Sequence, residues 1–290
     1  MQQVVNALML GSVYALIALG YTMVYGIIRF INFAHGDVFM VAGYIVFNVV
    51  ALLKFGFWGA LFSAVMGAML LGVIIERVAY RPLRNAPKIS LLITAIGVSL
   101  FLENFVALPV VMGSMPKVVP SFIPVSVYSI AGVRFTSAQL IILGTAIVLM
   151  VLLGWFIRST KLGRAMRAVS SDFAAVPLMG INVDNVISTA FAIGSGLAGV
   201  GGLLYVIVYP MVDPFMGIMI GTKAFIAAVV GGIGNIYGAV AGAYLIALME
   251  VAMVAAGYST WRDAVAFGLL ILVLLVKPSG LLGKFQKEKV

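Results

Sequence analysis

The stretch Ser137-Ala-Gln-Leu-Ile-Ile-Leu-Gly-Thr-Ala-Ile-Val-Leu-Met-Val-Leu-Leu-Gly-Trp-Phe-Ile157 carries no charged residue, and Arg158, Lys161, Arg164 and Arg167 follow it at once. About 20 mostly apolar residues suffice for a helix to cross the hydrocarbon core of a bilayer. Such a run with basic residues at one end reads as a membrane-spanning helix anchored in water on that side. The pattern recurs before it at 4–28, 38–51, 58–79 and 90–112, and after it at 186–209, 217–230, 237–256 and 264–276. Some of these segments are short, so eight to ten spans are expected. The fold class is all-α, a polytopic transmembrane helical bundle.

Composition requires the same class. Apolar residues make up 63% of the chain and charged residues 9%, with a mean hydropathy of +1.19. A soluble domain carries about 25% charged residues because its surface faces water. This chain must be solvated by lipid, and residues 1–290 read as a single transmembrane domain. A net charge of +9 would suggest nucleic acid for a soluble protein. Here it reports topology, and no nucleic-acid partner is expected. There is no cysteine, which excludes disulfides, thiolate metal sites and thiol nucleophiles. No Lys or Arg precedes Arg29, so the first apolar stretch lacks the basic start of a cleaved signal and is expected to be a retained span.

The basic residues give an orientation. Arg29; Arg77, Arg81, Arg84 and Lys88; Arg158, Lys161, Arg164 and Arg167; and Lys277, Lys284, Lys287 and Lys289 fall on one side, 13 of the 18 basic residues. Lys54, Lys117, Arg134 and Arg262 fall on the other, and Lys223 lies within a span. Lys and Arg collect on the cytoplasmic face. With nine crossings the N-terminus is expected outside and the C-terminus in the cytoplasm. Two connections exceed simple turns. Residues 113–135 contain Pro116, Pro120 and Pro124 among alternating β-branched residues, which predicts a small extended or hairpin-like extracytoplasmic cover. Residues 158–185 form the largest cytoplasmic segment. Within it, Ser171 or Asp172 can cap a short helix placing Ala174, Ala175, Leu178 and Met179 on one face, and Gly180 can stop it. Such a helix either docks a soluble partner or lies on lipid headgroups.

Gly194, Gly196, Gly199, Gly201 and Gly202, with Gly238 and Gly242, have the small-residue spacing that lets helices approach closely in lipid. Gly231, Gly234 and Asn235 differ, because they end a segment too short to span comfortably. Unwound backbone at membrane depth survives only inside protein or beside a watery cavity. Two further breaks, Ile31-Asn-Phe-Ala-His-Gly-Asp37 and Pro210-Met-Val-Asp-Pro214, follow the first and sixth spans. Those spans run in opposite directions, as in an inverted repeat. Asn32, His35, Gly36 and Asp37, with Gly231, Gly234 and Asn235, are therefore candidates for a translocation path. So are Lys223 and Glu250, ionisable residues on adjacent antiparallel spans at similar depth, where they can pair. The alternative for Lys223 is snorkelling to the surface. His35 beside Asp37 lacks a nucleophile or a metal set, so no catalytic residue and no metal site are expected. The segment from Gly217 to Lys223 has the wrong spacing for a phosphate loop, and Gly232, Gly234 and Gly238 lie in no βαβ unit. The chain is expected to bind no cofactor and to leave any ATP to a partner.

Gly20-Tyr-Thr-Met-Val-Tyr-Gly-Ile-Ile28, Ile31-Asn-Phe-Ala-His-Gly36, Ile75-Glu-Arg-Val-Ala-Tyr-Arg-Pro-Leu83 and Gly231-Gly-Ile-Gly234 resemble the LivH family, permeases of branched-chain amino-acid ABC importers. The resemblance covers nearly the whole chain. It implies the ABC importer permease fold in a bacterial inner membrane and import of leucine, isoleucine or valine. It also implies a second, LivM-like permease, two cytoplasmic ABC ATPases and an extracytoplasmic binding protein. Urea-type permeases share much of the pattern, so urea or another small polar solute stays open, as does a channel working without ATP. The 164–182 segment resembles the loop by which such permeases contact their ATPases, which makes Arg164, Arg167, Asp172, Ala174, Ala175 and Gly180 the coupling candidates. It departs from the Glu-Ala-Ala form, showing Phe173-Ala-Ala175 instead.

Reporter fusions after Val290 and within 116–124 are expected to give opposite compartment signals. The same signal from both would overturn the charge-based topology.

Overall fold

The structure, a computed structural model, describes residues 2–84, 86–124, 126–130, 133–173 and 175–283. The first half holds α1 (Gln2–Ile28), α2 (His35–Ala51), α3 (Phe57–Ile75) and α4 (Lys88–Ala107). A π-helical turn at Glu76–Tyr80 and a 3-10 turn at Arg81–Leu83 prolong α3. α5 (Ser137–Ser159) and α6 (Lys161–Ser171) come next, and the second half holds α7 (Val183–Val208), α8 (Met216–Gly231), α9 (Ile236–Ala255) and α10 (Arg262–Val276). Among the described residues seven helices are long and apolar enough to cross a membrane, and α2 and α8 are apolar but shorter. Together these match the nine apolar segments of the sequence.

A helix that is apolar all round belongs inside a bundle or in lipid, and small residues decide which. α1 and α7 are the centre: 89% and 72% of their spans are buried, against 17% for α5 and 11% for α10. Gly194 of α7 lies against Gly20 of α1, and Gly201 lies against Ile17, so the two helices cross antiparallel. A Cβ on Gly199 would stand 2.8 Å from the Ala64 carbonyl oxygen and 2.9 Å from Ala68 Cβ, which is how closely α7 approaches α3.

Packing repeats with the halves exchanged. α1 packs on α9 as α7 packs on α3; α2 packs on α3 and α7 as α8 packs on α9 and α1; α2 meets α4 as α8 meets α10. The second helix of each half begins inside the bundle. After α1, the 29–34 loop folds back so that His35 sits against Gly20, roughly 12 Å of helix short of the α1 end. Leaving α7, the Pro210 carbonyl accepts from Val119 N at 2.9 Å, and β4 (Met211–Val212) pairs antiparallel with β1 (Lys117–Val118). Asp213 then receives Phe215 N on Oδ1 at 2.8 Å and Met216 N on its carbonyl at 3.2 Å, starting α8 with Met216 against Gly43.

Within 113–135, β2 (Val127–Ile130) and β3 (Val133–Thr136) form an antiparallel hairpin with Tyr128 opposite Phe135. It leads straight into α5, where Thr136 and Gln139 form a reciprocal cap.

The 158–185 segment departs from expectation. Its amphipathic helix is α6, which ends before Asp172, and 176–179 form only one 3-10 turn. Thr160 starts α6 by accepting from Gly163 N at 3.0 Å. Pro177, which has no N–H to donate, stands in the short turn that replaces the expected helix. The apolar face of α6 is already used, since Met166 and Val169 are buried in the bundle core.

Gly199→Leu should wedge α7 from α3 and lower the stability of the detergent-solubilised protein by about 1–3 kcal/mol. Gly97→Leu, where nothing lies within 4 Å of the added Cβ, should leave thermal unfolding unchanged. Equal melting temperatures for the two variants would contradict the packing.

Candidate functional site

The N-termini of α2 and α8 cross where side chains have no room. A Cβ on Gly36 would strike the Gly217 carbonyl oxygen and lie 3.0 Å from Gly221 Cα; one on Gly217 would lie 2.8 Å from the Gly36 carbonyl oxygen. Beside this crossing is a cavity of about 280 Å³. Asp37 of α2, Ser99 and Glu103 of α4 and Thr222 of α8 are its polar lining, and Phe33, Ile96, Leu100 and Phe225 are among its apolar lining.

Ser99 Oγ donates to Asp37 Oδ2 at 2.5 Å and lies 3.5 Å from Glu103 Oε1. Asp37 is 1% exposed and Glu103 3%. Asp37 Oδ1 has no hydrogen-bond partner and faces Gly217. Asp37 occupies the first turn of α2, where the positive end of the helix dipole favours a carboxylate.

The other residues singled out in 31–37 shape this site without lining it. Asn32 Oδ1 accepts from Tyr80 Oη at 2.6 Å, clamping the loop to the turn that prolongs α3. His35 is buried against Gly20, with its ring edge-on to Tyr21 at 4.7 Å between centroids, and its Nε2 has no hydrogen-bond partner.

Lys223 and Glu250 pair, but in a larger network away from the cavity lining. Lys223 Nζ is 2.9 Å from Glu250 Oε1 and 2.6 Å from Asp263 Oδ1; Arg262 Nε donates to Glu250 Oε2 at 2.7 Å, and Tyr14 Oη donates to the same oxygen at 3.2 Å. Two cations balance two carboxylates, tying α8, α9, α10 and α1 together. This binding of the ammonium replaces the snorkelling alternative. At the opposite end of the bundle Glu76, also fully buried, accepts from Arg84 and from Ser188 of α7, and Asp184 receives Arg81 and Arg84.

Gly231, Gly234 and Asn235 are not on the lining of this cavity. They form the turn between α8 and α9, with positive φ at Gly232 (110°) and Gly234 (90°). Asn235 Oδ1 caps α9 by accepting from Tyr237 N at 3.0 Å and Gly238 N at 3.3 Å, and its Nδ2 donates to the Leu282 carbonyl at 2.7 Å. Leu281 N and Leu282 N bond the Val230 and Gly231 carbonyls at 2.8 and 2.9 Å, sealing the turn with later chain.

In the 158–185 segment Arg164 Nη1 donates to the Ser159 carbonyl at 3.1 Å, and Arg167 reaches the Ile157 and Arg158 carbonyls. Both therefore cap the C-terminus of α5. Asp172 Oδ1 accepts from Ala175 N at 3.0 Å, and Gly180 leaves the 3-10 turn at φ 76°. Ala174 lies outside the described residues. Arg29 at the end of α1 donates to the Ser170 carbonyl at 3.4 Å, so α6 leans on α1. What projects is Leu178, 89% exposed, and Met179, 75% exposed.

Ser99 and Glu103, like Thr222 and the apolar lining residues, are site residues that sequence reasoning did not assign. Glu103 carried a signal as an ionisable residue inside a span. Its neighbour Asp37 is on another helix, and pairing across that separation leaves no local trace.

The family model described as branched-chain amino acid transport system / permease component matches residues 3–274. The chain is 43% identical, over its whole length and 97% of that protein, to the high-affinity branched-chain amino acid transport system permease protein LivH of Escherichia coli K12. It is also 43% identical to BraD, the corresponding permease protein of Pseudomonas aeruginosa, covering 98% of it. Among solved structures, PsaBC from Streptococcus pneumoniae in complex with Fab superposes with a TM-score of 0.51 over 94% of this chain and 91% of that one. At 12% identity this is a likeness of fold.

Removing one partner from a buried ion network leaves an excess charge in low dielectric, here softened because Glu250 keeps Arg262 and Lys223 keeps Asp263, at a cost of roughly 1–3 kcal/mol. Lys223→Met and Glu250→Gln should each destabilise the protein, and the double variant should recover at least about 0.5 kcal/mol of the sum. Additive losses in a thermal-unfolding cycle would contradict the coupling.

Proposed function

This chain belongs to the family of branched-chain amino acid transport permease components and is an integral membrane protein, and we propose that it is one transmembrane subunit of an ATP-driven importer for leucine, isoleucine and valine. A second homologous permease completes the pathway, an extracytoplasmic binding protein delivers the substrate, and two cytoplasmic ATPases hydrolyse ATP. The N-terminus faces outward and the C-terminus the cytoplasm, following the basic residues. The observation that carries the reading is the cavity at the α2–α8 crossing. Polar, aliphatic and aromatic side chains line it together, inside a bundle whose packing repeats with the halves exchanged and whose α1 and α7 cross antiparallel.

Coupling follows from the cytoplasmic segment. Leu178 and Met179 project from a turn that Asp172 and Gly180 hold in shape, and they fill an apolar recess on an ATPase. The turn is joined to α6, which packs into the bundle core, and to α7, whose first turn Asn182 caps through Asn185 N at 3.2 Å. Closure of the ATPases moves this unit, and the central helices rock between inward- and outward-open arrangements.

The test is leucine uptake and leucine-stimulated ATP hydrolysis by the co-purified complex in vesicles, with urea and a sugar as competitors. The reading expects ATP-dependent uptake that leucine, isoleucine and valine compete for and urea does not. Leu178→Asp should reduce stimulated hydrolysis roughly tenfold, about 1.4 kcal/mol of lost coupling, without preventing membrane insertion. Uptake that persists without ATP would replace this reading with a facilitator.

A further inference from the structure

We propose that the cavity beside the α2–α8 crossing is a subsite for a primary ammonium group, with Asp37 and Glu103 as its countercharge and the Phe33–Phe225 wall receiving the aliphatic chain attached to it. The proposal rests on the transport reading above and adds to it the substrate class that this chain itself selects.

Charge accounting singles out the site. Glu76 is answered by Arg84, and Glu250 by Lys223 and Arg262. Among the described residues no salt bridge reaches Asp37 or Glu103, although both are almost fully buried. Two carboxylates around one serine hydroxyl repel each other in low dielectric, and the arrangement is relieved by a proton or by an arriving cation. Asp37 Oδ1 has no hydrogen-bond partner and is buried against Gly217, whose backbone also lines the cavity.

The acceptor set fits an ammonium better than a metal ion. A –NH₃⁺ group has three donors. Asp37, Glu103 and Ser99 supply three acceptor groups in one corner of the cavity. Calcium takes six to eight oxygen ligands, and no group of three His, Cys, Asp or Glu side chains able to hold a metal occurs among the described residues. The same cavity has apolar lining, with the Phe33 and Phe225 rings 5.8 Å apart between centroids and Ile96 and Leu100 on the α4 face that carries Ser99 and Glu103. Gly217, in the first turn of α8, brings the positive end of that helix dipole to the same space. It suits the carboxylate that accompanies the ammonium of an amino acid. A neutral solute such as urea leaves the two carboxylates unanswered, so the site discriminates against it.

This chain has no cysteine, so labelling read on this subunit reports a single introduced thiol. Thr222→Cys places one thiol on the cavity wall, and its rate of modification by a small methanethiosulfonate is measured in the assembled importer in nanodiscs, without the binding protein. If the thiol disturbs assembly, Ile218→Cys on the same wall replaces it. The probes are leucine, 3-methylbutylamine, 4-methylpentanoate, urea and sodium chloride at matched concentration. Labelling should slow with leucine and with the amine, by on the order of threefold at twice the dissociation constant, since protection follows 1 + [L]/Kd. Asp37→Asn should abolish that protection, and Asp37→Glu should restore part of it. Equal protection by 4-methylpentanoate, urea or sodium ion, or protection that survives Asp37→Asn, overturns the proposal, as does protection by none of the probes. ATP-driven leucine uptake by the unaltered complex, measured in parallel, decides the transport reading separately.

Discussion

Backbone-to-backbone approach at Gly36, Gly217 and Gly221 is the contact on which the rest of this structure depends. A bilayer offers no partner to a free amide, so a helix can begin inside the hydrocarbon region only where protein surrounds its first turn. α2 and α8 both begin that way, and each start lies against the other. Without side chains at the crossing, Gly20 of α1 can accept His35, Gly43 of α2 can accept Met216, and the loops on either side can fold back into the bundle. The cavity follows from the same geometry. Two helices that cross at their ends diverge beyond the crossing, and α4 closes the gap with Ser99 and Glu103.

Buried charge is distributed with a logic that matches the exchanged halves. Glu76, at the end of α3, meets an arginine that follows it in the chain and a hydroxyl from α7. Glu250, on α9, meets an arginine that follows it and a hydroxyl from α1. The third helix of each half is thus bolted to the first helix of the other, at opposite ends of the bundle. Breaking either bolt strands a charge. Asp37 and Glu103 share the Ser99 hydroxyl and have no salt bridge among the described residues. Fixed charges that hold the frame are matched by salt bridges, whereas the pair without one is on the lining of the cavity.

Much of this was legible in the sequence because the signals were local. Nine apolar segments, the two breaks around Asn32 and Pro210, and the packing role of Gly194 to Gly202 follow from composition and spacing alone. Lys223 with Glu250 was legible because their helices are consecutive and antiparallel, which brings similar depths together. Failures came where distant chain intervenes. The spacing of Gly231 to Asn235 predicts unwound backbone, and the structure shows a turn whose carbonyls at Val230 and Gly231 are taken by Leu281 and Leu282. Ala174, Ala175, Leu178 and Met179 have the spacing of an amphipathic helix capped by Ser171 or Asp172, over a window too short to test it. Thr160 starts the real helix earlier, and its apolar face is spent on Met166 and Val169 inside the bundle. Glu103 announced itself as costly, yet its neighbour Asp37 could be named only in three dimensions.

The depth of residue 33 tests the folded-back start of α2 most directly. Phe33 meets Phe225, whose ring lies 5.9 Å from Tyr21 of α1, and Tyr21 precedes the α1 end at Ile28 by about 10 Å of helix. Nitroxides placed singly at positions 28 and 33 of this cysteine-free chain in nanodiscs report depth by power saturation against oxygen and a nickel chelate. The account predicts that position 33 lies deeper in the hydrocarbon than position 28, by roughly 10 Å. Position 33 at the headgroup level, no deeper than position 28, would mean an ordinary surface loop between α1 and α2 and would contradict the crossing.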